Sequence, residues 1–247
     1  MSIIIASAQM EPKDEDIDEN LTRHYELINL AISYGAKLIL FPELSITGYV
    51  RASGKKLAFT DDDARLDELR KLANTNNIII IAGAPIIISS VLHIGSFVLY
   101  PDKTVSIYTK QFLHTGEDEF YASNFDYNPL IHYENEGISL AICADISNPF
   151  HAKKAGRAGT TLYLAGIFYT PKAMTEAYEQ LQSYAKKHSM TVMMSNYCGE
   201  SWGLLAGGKS GLWSKDGVLV ASADDKSSGV LIGVKAKDSW SGYFIKA

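Results

Sequence analysis

The sequence predicts an α/β protein whose sheets are covered by helices and are mixed in direction. Three observations carry this reading. Short runs with apolar residues at almost every position, at residues 37–41, 78–81 and 137–142, have the pattern of strands buried on both faces. They alternate with longer stretches that are apolar on one helical face only. Two hairpin signals, Pro101-Asp102-Lys103 and Lys215-Asp216-Gly217, add antiparallel neighbours.

In chain order, residues 3–9 form a first strand. Asp16 or Asp18 caps a helix to about Tyr34, with Leu21, Tyr25, Ile28 and Ile32 on one face and Gly35 as its stop. Strand 37–41 follows and leads into Pro42 and Glu43. Thr60 or Asp61 opens a second helix with Leu66, Leu69, Leu72 and Ala73 inward. Strand 78–81 comes next, then strands 91–100 and 105–109 around the first hairpin turn. Strand 137–143 precedes a small helix at 150–158 and a strand at 161–164. Thr170 caps a long helix with Pro171 in its first turn, a place that suits proline. Its inward face is Met174, Ala177, Tyr178, Leu181, Ala185 and His188, the last a core or boundary residue. Strands 191–195, 209–214, 218–223 and 230–234 close the pattern. No linker, low-complexity tract or tandem repeat interrupts it, so residues 1–247 read as a single domain.

Composition narrows the function. The chain has 247 residues and a formal net charge of −5, with no basic stripe interleaved with aromatics, which argues against nucleic acid as a partner. No apolar run reaches the length of a membrane span, and the opening residues lack the basic flank of a signal peptide. Two cysteines make no disulfide framework and fit a reducing cytoplasm. The scattered histidines offer no metal-ligand spacing, and no cofactor motif stands up. Gly203 to Ser210 does match the letters of a phosphate-binding loop, GxxxxGK[ST]. That mechanism needs a helix after the lysine, and here another β-like run follows, so the stretch reads as a glycine-rich loop entering a hairpin.

Three apolar strands end in, or just before, a chemically useful side chain. Strand 37–41 leads to Glu43, strand 105–109 to Lys110, and strand 137–142 to Cys143. Taken singly these are a turn residue, a solvated lysine and a buried thiol. Together, a carboxylate, an ammonium and a thiol at strand ends can converge at one sheet edge, where open α/β sheets carry their reactive groups. Backbone N–H groups after Cys143 can face a developing anion.

These motifs resemble the signatures of the nitrilase superfamily of carbon–nitrogen hydrolases. Phe41-Pro42-Glu43-Leu44 with Thr47-Gly48-Tyr49 resembles the first. Tyr108-Thr109-Lys110 with Leu113 resembles the second, and Cys143-Ala144-Asp145 with Pro149 the third. Asn196 and Gly208-Lys209-Ser210 resemble two later positions. The likeness runs along nearly the whole chain in the right order. It implies a four-layer α-β-β-α sandwich with two mixed sheets and a Glu43–Lys110–Cys143 triad. It further implies an oxyanion contact from the Ala144 N–H and a second glutamate, best matched by Glu117 with Glu119 competing. Phe112 stands where the family often has histidine, with His114 later, and Ala144 where it often has an aromatic. Both departures bear on substrate.

The expected activity is amidase-like: cysteine-dependent hydrolysis of a small amide or carbamoyl compound through a thioester, releasing ammonia or an amine. Nitrile hydrolysis and a degenerate, non-catalytic binding member are the alternatives. A papain-like Cys–His pair is not expected, because no matching segment supplies a histidine near Cys143. The resemblance also implies a homodimer, with segments after Cys143 and the aromatic tail carrying Trp240 and Tyr243 at the contact. Cys198 is assigned no catalytic part.

Overall fold

The structure, a computed structural model, describes residues 3–247. Its elements are β1 (Ile3–Gln9), α1 (Ile17–Ser33), β2 (Leu38–Leu40), α2 (Gly54–Leu57), α3 (Asp67–Asn76), β3 (Ile79–Ile88), β4 (Val91–Leu99) and β5 (Val105–Thr109). There follow β6 (Ile131–Tyr133), β7 (Glu136–Ile142), α4 (Pro149–Arg157), β8 (Leu162–Gly166), α5 (Met174–His188) and β9 (Thr191–Ser195). The chain then runs through β10 (Glu200–Ser201), β11 (Leu204–Leu205), β12 (Gly211–Trp213), β13 (Leu219–Ser222), β14 (Gly229–Ala236) and β15 (Ser239–Lys246).

Among the described residues, two mixed sheets and a small antiparallel β10-β11 ribbon result. One has the order β15-β14-β1-β2-β3-β4-β5, the other β13-β12-β9-β8-β7-β6. They face one another through β1 against β9 and β2 against β8. Helices α1 and α3 cover the first sheet, and α4 and α5 the second. This is the four-layer α-β-β-α sandwich. Buried aliphatic residues such as Ile5, Ile39, Ile80, Leu140, Leu164 and Met193 fill its layers. Two hydroxyls stitch the sheets: Ser7 Oγ donates to the Met194 carbonyl at 2.8 Å, and Ser195 Oγ to the Ala8 carbonyl at 2.5 Å. In so apolar a layer such groups stay only if bonded.

The parallel strands β2, β3, β7, β8 and β9 point the same way within their sheets, so the residues after them collect at one pole. The segment after β2 carries Glu43 and threads between the sheets. Gly83 of β3 and Gly166 of β8 make room for it: a Cβ on Gly83 would lie 2.5 Å from the Leu44 nitrogen, and one on Gly166 2.7 Å from the Phe41 oxygen. Only glycine permits so close an approach of two backbones.

Several boundaries differ from the sequence reading. Asp16 does cap α1, accepting from the Glu19 N–H. The second helix starts later than Thr60 or Asp61, after a short 3-10 turn at Ala64–Leu66 that Asp63 caps. Thr170 is not the cap of α5: residues 170–173 form a turn, and the helix begins at Met174. Strand β3 runs on to Ile88 through Pro85. There β2 has already ended, so the missing N–H of proline breaks no ladder bond. The aromatic tail holding Trp240 and Tyr243 is the edge strand β15, paired along its length with β14. The run Gly203–Ser210 passes through β11 into β12 with no helix after it. Ser210 is buried, bonding Gln9 Oε1 through its N–H and hydroxyl, and its hydroxyl accepts the Asn196 N–H. The loop is a structural clasp.

Candidate active site

Cys143 lies directly after β7, where the chain turns sharply into a 3-10 turn, Cys143–Asp145. Its φ is +44°, a left-handed conformation that a non-glycine residue holds only against strain. The turn projects the thiol from the strand end and starts a run of N–H groups, Ala144 first, that lack partners within the turn. The residue is 2% exposed.

Asp145 locks this elbow to the lysine segment. One of its oxygens accepts the Ile142 N–H at 2.9 Å and the Tyr108 hydroxyl at 2.6 Å. The other accepts the N–H groups of Gln111 at 3.0 Å and Phe112 at 2.9 Å. Because the Tyr108 hydroxyl gives its proton to Asp145, His151 must donate Nε2–H to the Tyr108 oxygen, at 2.9 Å. Its Nδ1 then accepts from the Tyr163 hydroxyl at 2.7 Å. Sequence reading placed Asp145 in a motif but gave it no task. Four donors from two strand ends could not be read from spacing.

Lys110 is fully buried between two carboxylates. Its Nζ donates to Glu43 Oε1 at 2.6 Å and approaches both Glu117 oxygens, Oε1 at 2.9 Å and Oε2 at 2.8 Å. Glu117 also accepts from the Tyr49 hydroxyl at 2.6 Å and the His114 N–H at 2.8 Å. Glu119, the competing choice, is exposed on the same turn. The second oxygen of Glu43 is buried and has no partner among the described residues. Tyr197 fixes the Glu43 backbone by donating to its carbonyl at 2.6 Å.

The electrostatics separate the two glutamates. Burial pushes Glu43 up to about 7, against the pull of the Lys110 charge and with a further push from Glu117. Glu117 is buried too, but Lys110 and the hydrogen bonds from Lys110, Tyr49 and the His114 N–H outweigh that, and its pKa falls below the usual range. Burial pulls the Lys110 ammonium down, yet Glu43, Cys143 and Glu117 hold it well above its ordinary value. The Cys143 thiol is raised by burial and by Glu43, so it rests protonated. The same lysine thus sits between two carboxylates that their surroundings drive apart, Glu43 upward and Glu117 downward.

The structure also corrects an expectation. A histidine does lie beside Cys143: His114 Nε2 is 3.2 Å from Sγ. It was legible only as a departure from a motif, because its nearness depends on how the 110–117 turn folds over the elbow. On the other side, Sγ faces the Phe168 carbonyl at 3.7 Å. Asn196 anchors that segment, with Oδ1 accepting the Tyr169 N–H and Nδ2 donating to the carbonyls of Tyr169 and Gly208. Cys198 is buried elsewhere, against Ser228.

The carbon–nitrogen hydrolase family model matches residues 4–236 of the chain. The chain belongs to this family. A protein described as a hydrolase in the pqqF 5′ region of Pseudomonas protegens is 24% identical over 230 residues, covering 89% of this chain and 78% of that protein. Among solved structures, an amidase from Nesterenkonia sp. superposes with a TM-score of 0.85 at 22% identity, covering 96% of this chain and 91% of that one. A double variant of that amidase in complex with acrylamide gives 0.85 at 21% identity, covering 95% and 91%. A cysteine-to-alanine variant in complex with butyramide gives 0.82 at 21%, covering 93% and 89%. These are amidases of the nitrilase superfamily, and this carbon–nitrogen hydrolase shares their fold. Among its described residues, no helix is long and apolar enough to cross a membrane.

Proposed function

We propose that this carbon–nitrogen hydrolase cleaves a small amide or carbamoyl compound through a thioester on Cys143, releasing ammonia or an amine. The observation that carries the reading is one buried ammonium, Lys110, held between Glu43 and Glu117 beside a thiol on a strained elbow. In the structural neighbour the active-site cysteine is a nucleophile: a variant of the Nesterenkonia amidase carries the acetamide moiety of fluoroacetamide on it.

The steps follow from the geometry. The unpartnered oxygen of Glu43 takes the thiol proton, and Sγ attacks the amide carbon. Negative charge moves to the carbonyl oxygen. Lys110 has three donors; two point to the glutamates, which leaves the third for that oxygen, with the Ala144 N–H as its partner. Glu43 then gives its proton to the nitrogen as the C–N bond breaks. A water loses a proton to Glu43 and attacks the thioester, the C–S bond breaks to release the carboxylic acid, and Glu43 returns the proton to the Cys143 sulfur. A base with a pKa of about 7 suits both duties. Glu117 stays ionised and holds Lys110 in place. Burial and the nearby Lys110 charge both lower the His114 pKa, so His114 is a poor rival for the proton.

Nearly complete burial of Cys143, between the Phe168 carbonyl and the His114 ring, favours a short substrate. Ammonia release measured across aliphatic amides, carbamoyl amino acids and nitriles tests this. The reading predicts turnover of short amides or carbamoyl compounds. Activity on nitriles alone would overturn it. We also propose a cytoplasmic homodimer as the working form; light scattering that reads only monomer at micromolar concentration would count against the dimer.

A further inference from the structure

His114 belongs to none of the roles just assigned, yet it touches the reacting sulfur. Its backbone N–H is tied to Glu117 Oε2 at 2.8 Å, which fixes the turn that carries the ring. The ring is half-buried, lies edge-on to Tyr169 with centroids 6.5 Å apart, and sets Nε2 3.2 Å from Cys143 Sγ. His114 also lines a cavity of about 180 Å³ with Ser147, Tyr169, Glu176 and Gln180. Among the described residues, the sulfur's hydrogen-bond partners are the Phe168 carbonyl, which can only accept, and His114. A thiol proton aimed at the Phe168 carbonyl or at Glu43 leaves sulfur as the acceptor toward His114. Nε2 then carries a hydrogen.

The surroundings keep the ring neutral. Lys110 and Arg51 are the cations near it, and Glu117 and Asp145 the anions. Glu176 across the cavity is exposed. Burial and the buried Lys110 ammonium prevail, and imidazolium is disfavoured. A neutral imidazole beside a sulfur that must become anionic can do one useful thing, which is donate a hydrogen bond that strengthens as charge develops.

We propose that His114 is a further catalytic residue, a neutral Nε2–H donor that stabilises the Cys143 thiolate when Glu43 removes its proton. The S–H bond breaks, the new O–H bond forms on Glu43, and His114 keeps its own proton throughout. After acylation the same N–H faces the thioester sulfur, and it again stabilises that sulfur as it leaves in the second half-reaction. This rests on Cys143 being the nucleophile. It differs from a Cys–His pair, in which the imidazole would accept the proton.

Glutamine and asparagine separate these roles. A glutamine amide nitrogen reaches about as far as imidazole Nε2, whereas that of asparagine stops near Nδ1; neither is a base. The measurement is the pH dependence of Cys143 alkylation by iodoacetamide, followed by intact mass in a Cys198→Ala background. His114→Asn should slow alkylation at neutral pH about tenfold and move its midpoint up by about one pH unit, the scale of one lost bond to a charged group. His114→Gln should recover most of the rate and midpoint. Equal impairment of both variants would overturn the donor role, and so would wild-type profiles for both. Failure of the wild-type protein to alkylate at Cys143 would instead sink the nucleophile assignment beneath it.

Discussion

Asp145→Asn is the most informative single change outside the reacting groups. Asp145 is fully buried and receives four donors, two on each oxygen. Asparagine offers one acceptor oxygen. If that oxygen keeps the Gln111 and Phe112 N–H groups, the new NH2 faces the Ile142 N–H and the Tyr108 hydroxyl. The Tyr108 hydroxyl can rotate to accept, but the Ile142 N–H cannot, and it is left buried and unpaired. An orphaned buried donor costs about 1–3 kcal/mol, and weakening the charge-assisted bonds adds roughly as much again. The expected loss is about 2–5 kcal/mol, a large part of an ordinary domain's stability. With a urea slope of about 2–3 kcal/mol per molar, the unfolding midpoint should drop by about 1–2 M. The folded fraction should also lose about a hundredfold in kcat/KM, because the clip sets Lys110 against Cys143 and small displacements are costly. A midpoint within about 0.2 M of wild type, with activity within threefold, would refute the reasoning.

Two further outcomes follow from buried titratable groups. Glu117→Gln should lower kcat/KM by about ten- to a hundredfold, whereas exposed Glu119→Gln should stay within threefold; because Glu117 raises the Glu43 pKa, its loss should also move the acid limb of the pH–rate profile below about 7. His24 is fully buried, with Nδ1 bonded to the Asn20 carbonyl and Nε2 to Ser45 Oγ, and burial lowers its pKa to about 4. The unfolded chain takes up a proton near pH 6.5 that the folded chain refuses until about pH 4. Stability is therefore fully present above pH 6.5 and falls by about 3 kcal/mol as the pH drops to 4. Urea midpoints between pH 7 and 4.5 should fall less steeply in His24→Gln than in wild type; parallel slopes would contradict this.

The sequence made the position of the candidate groups legible because strand periodicity marks where a strand stops. Glu43, Lys110 and Cys143 stand at such stops, and parallel strands bring their ends to one pole. The phosphate-loop letters at 203–210 could be set aside for the same reason, since the period after them is β-like. What escaped depends on closure in three dimensions. Asp145 gathers donors from the Lys110 segment and β7, and His114 reaches Cys143 only once the 110–117 turn is pinned by Glu117. Strand β15 was missed because its outer face is open: Tyr243 is 46% exposed, and edge strands show a weak alternation. The start of α5 was misplaced by the Thr170-Pro171 pair, which makes a turn as readily as a helix start.

Intact-mass spectrometry of acid-quenched reactions with a slow amide tests whether Cys143 carries the acyl group and Glu43 serves both half-reactions. Wild type should show an acyl adduct on Cys143 and Cys143→Ala none, and the adduct in Glu43→Gln should persist wherever acylation leaks through, because the hydrolytic water has lost its base. Turnover by Cys143→Ala at the wild-type rate, or an adduct that maps to Cys198, would contradict this.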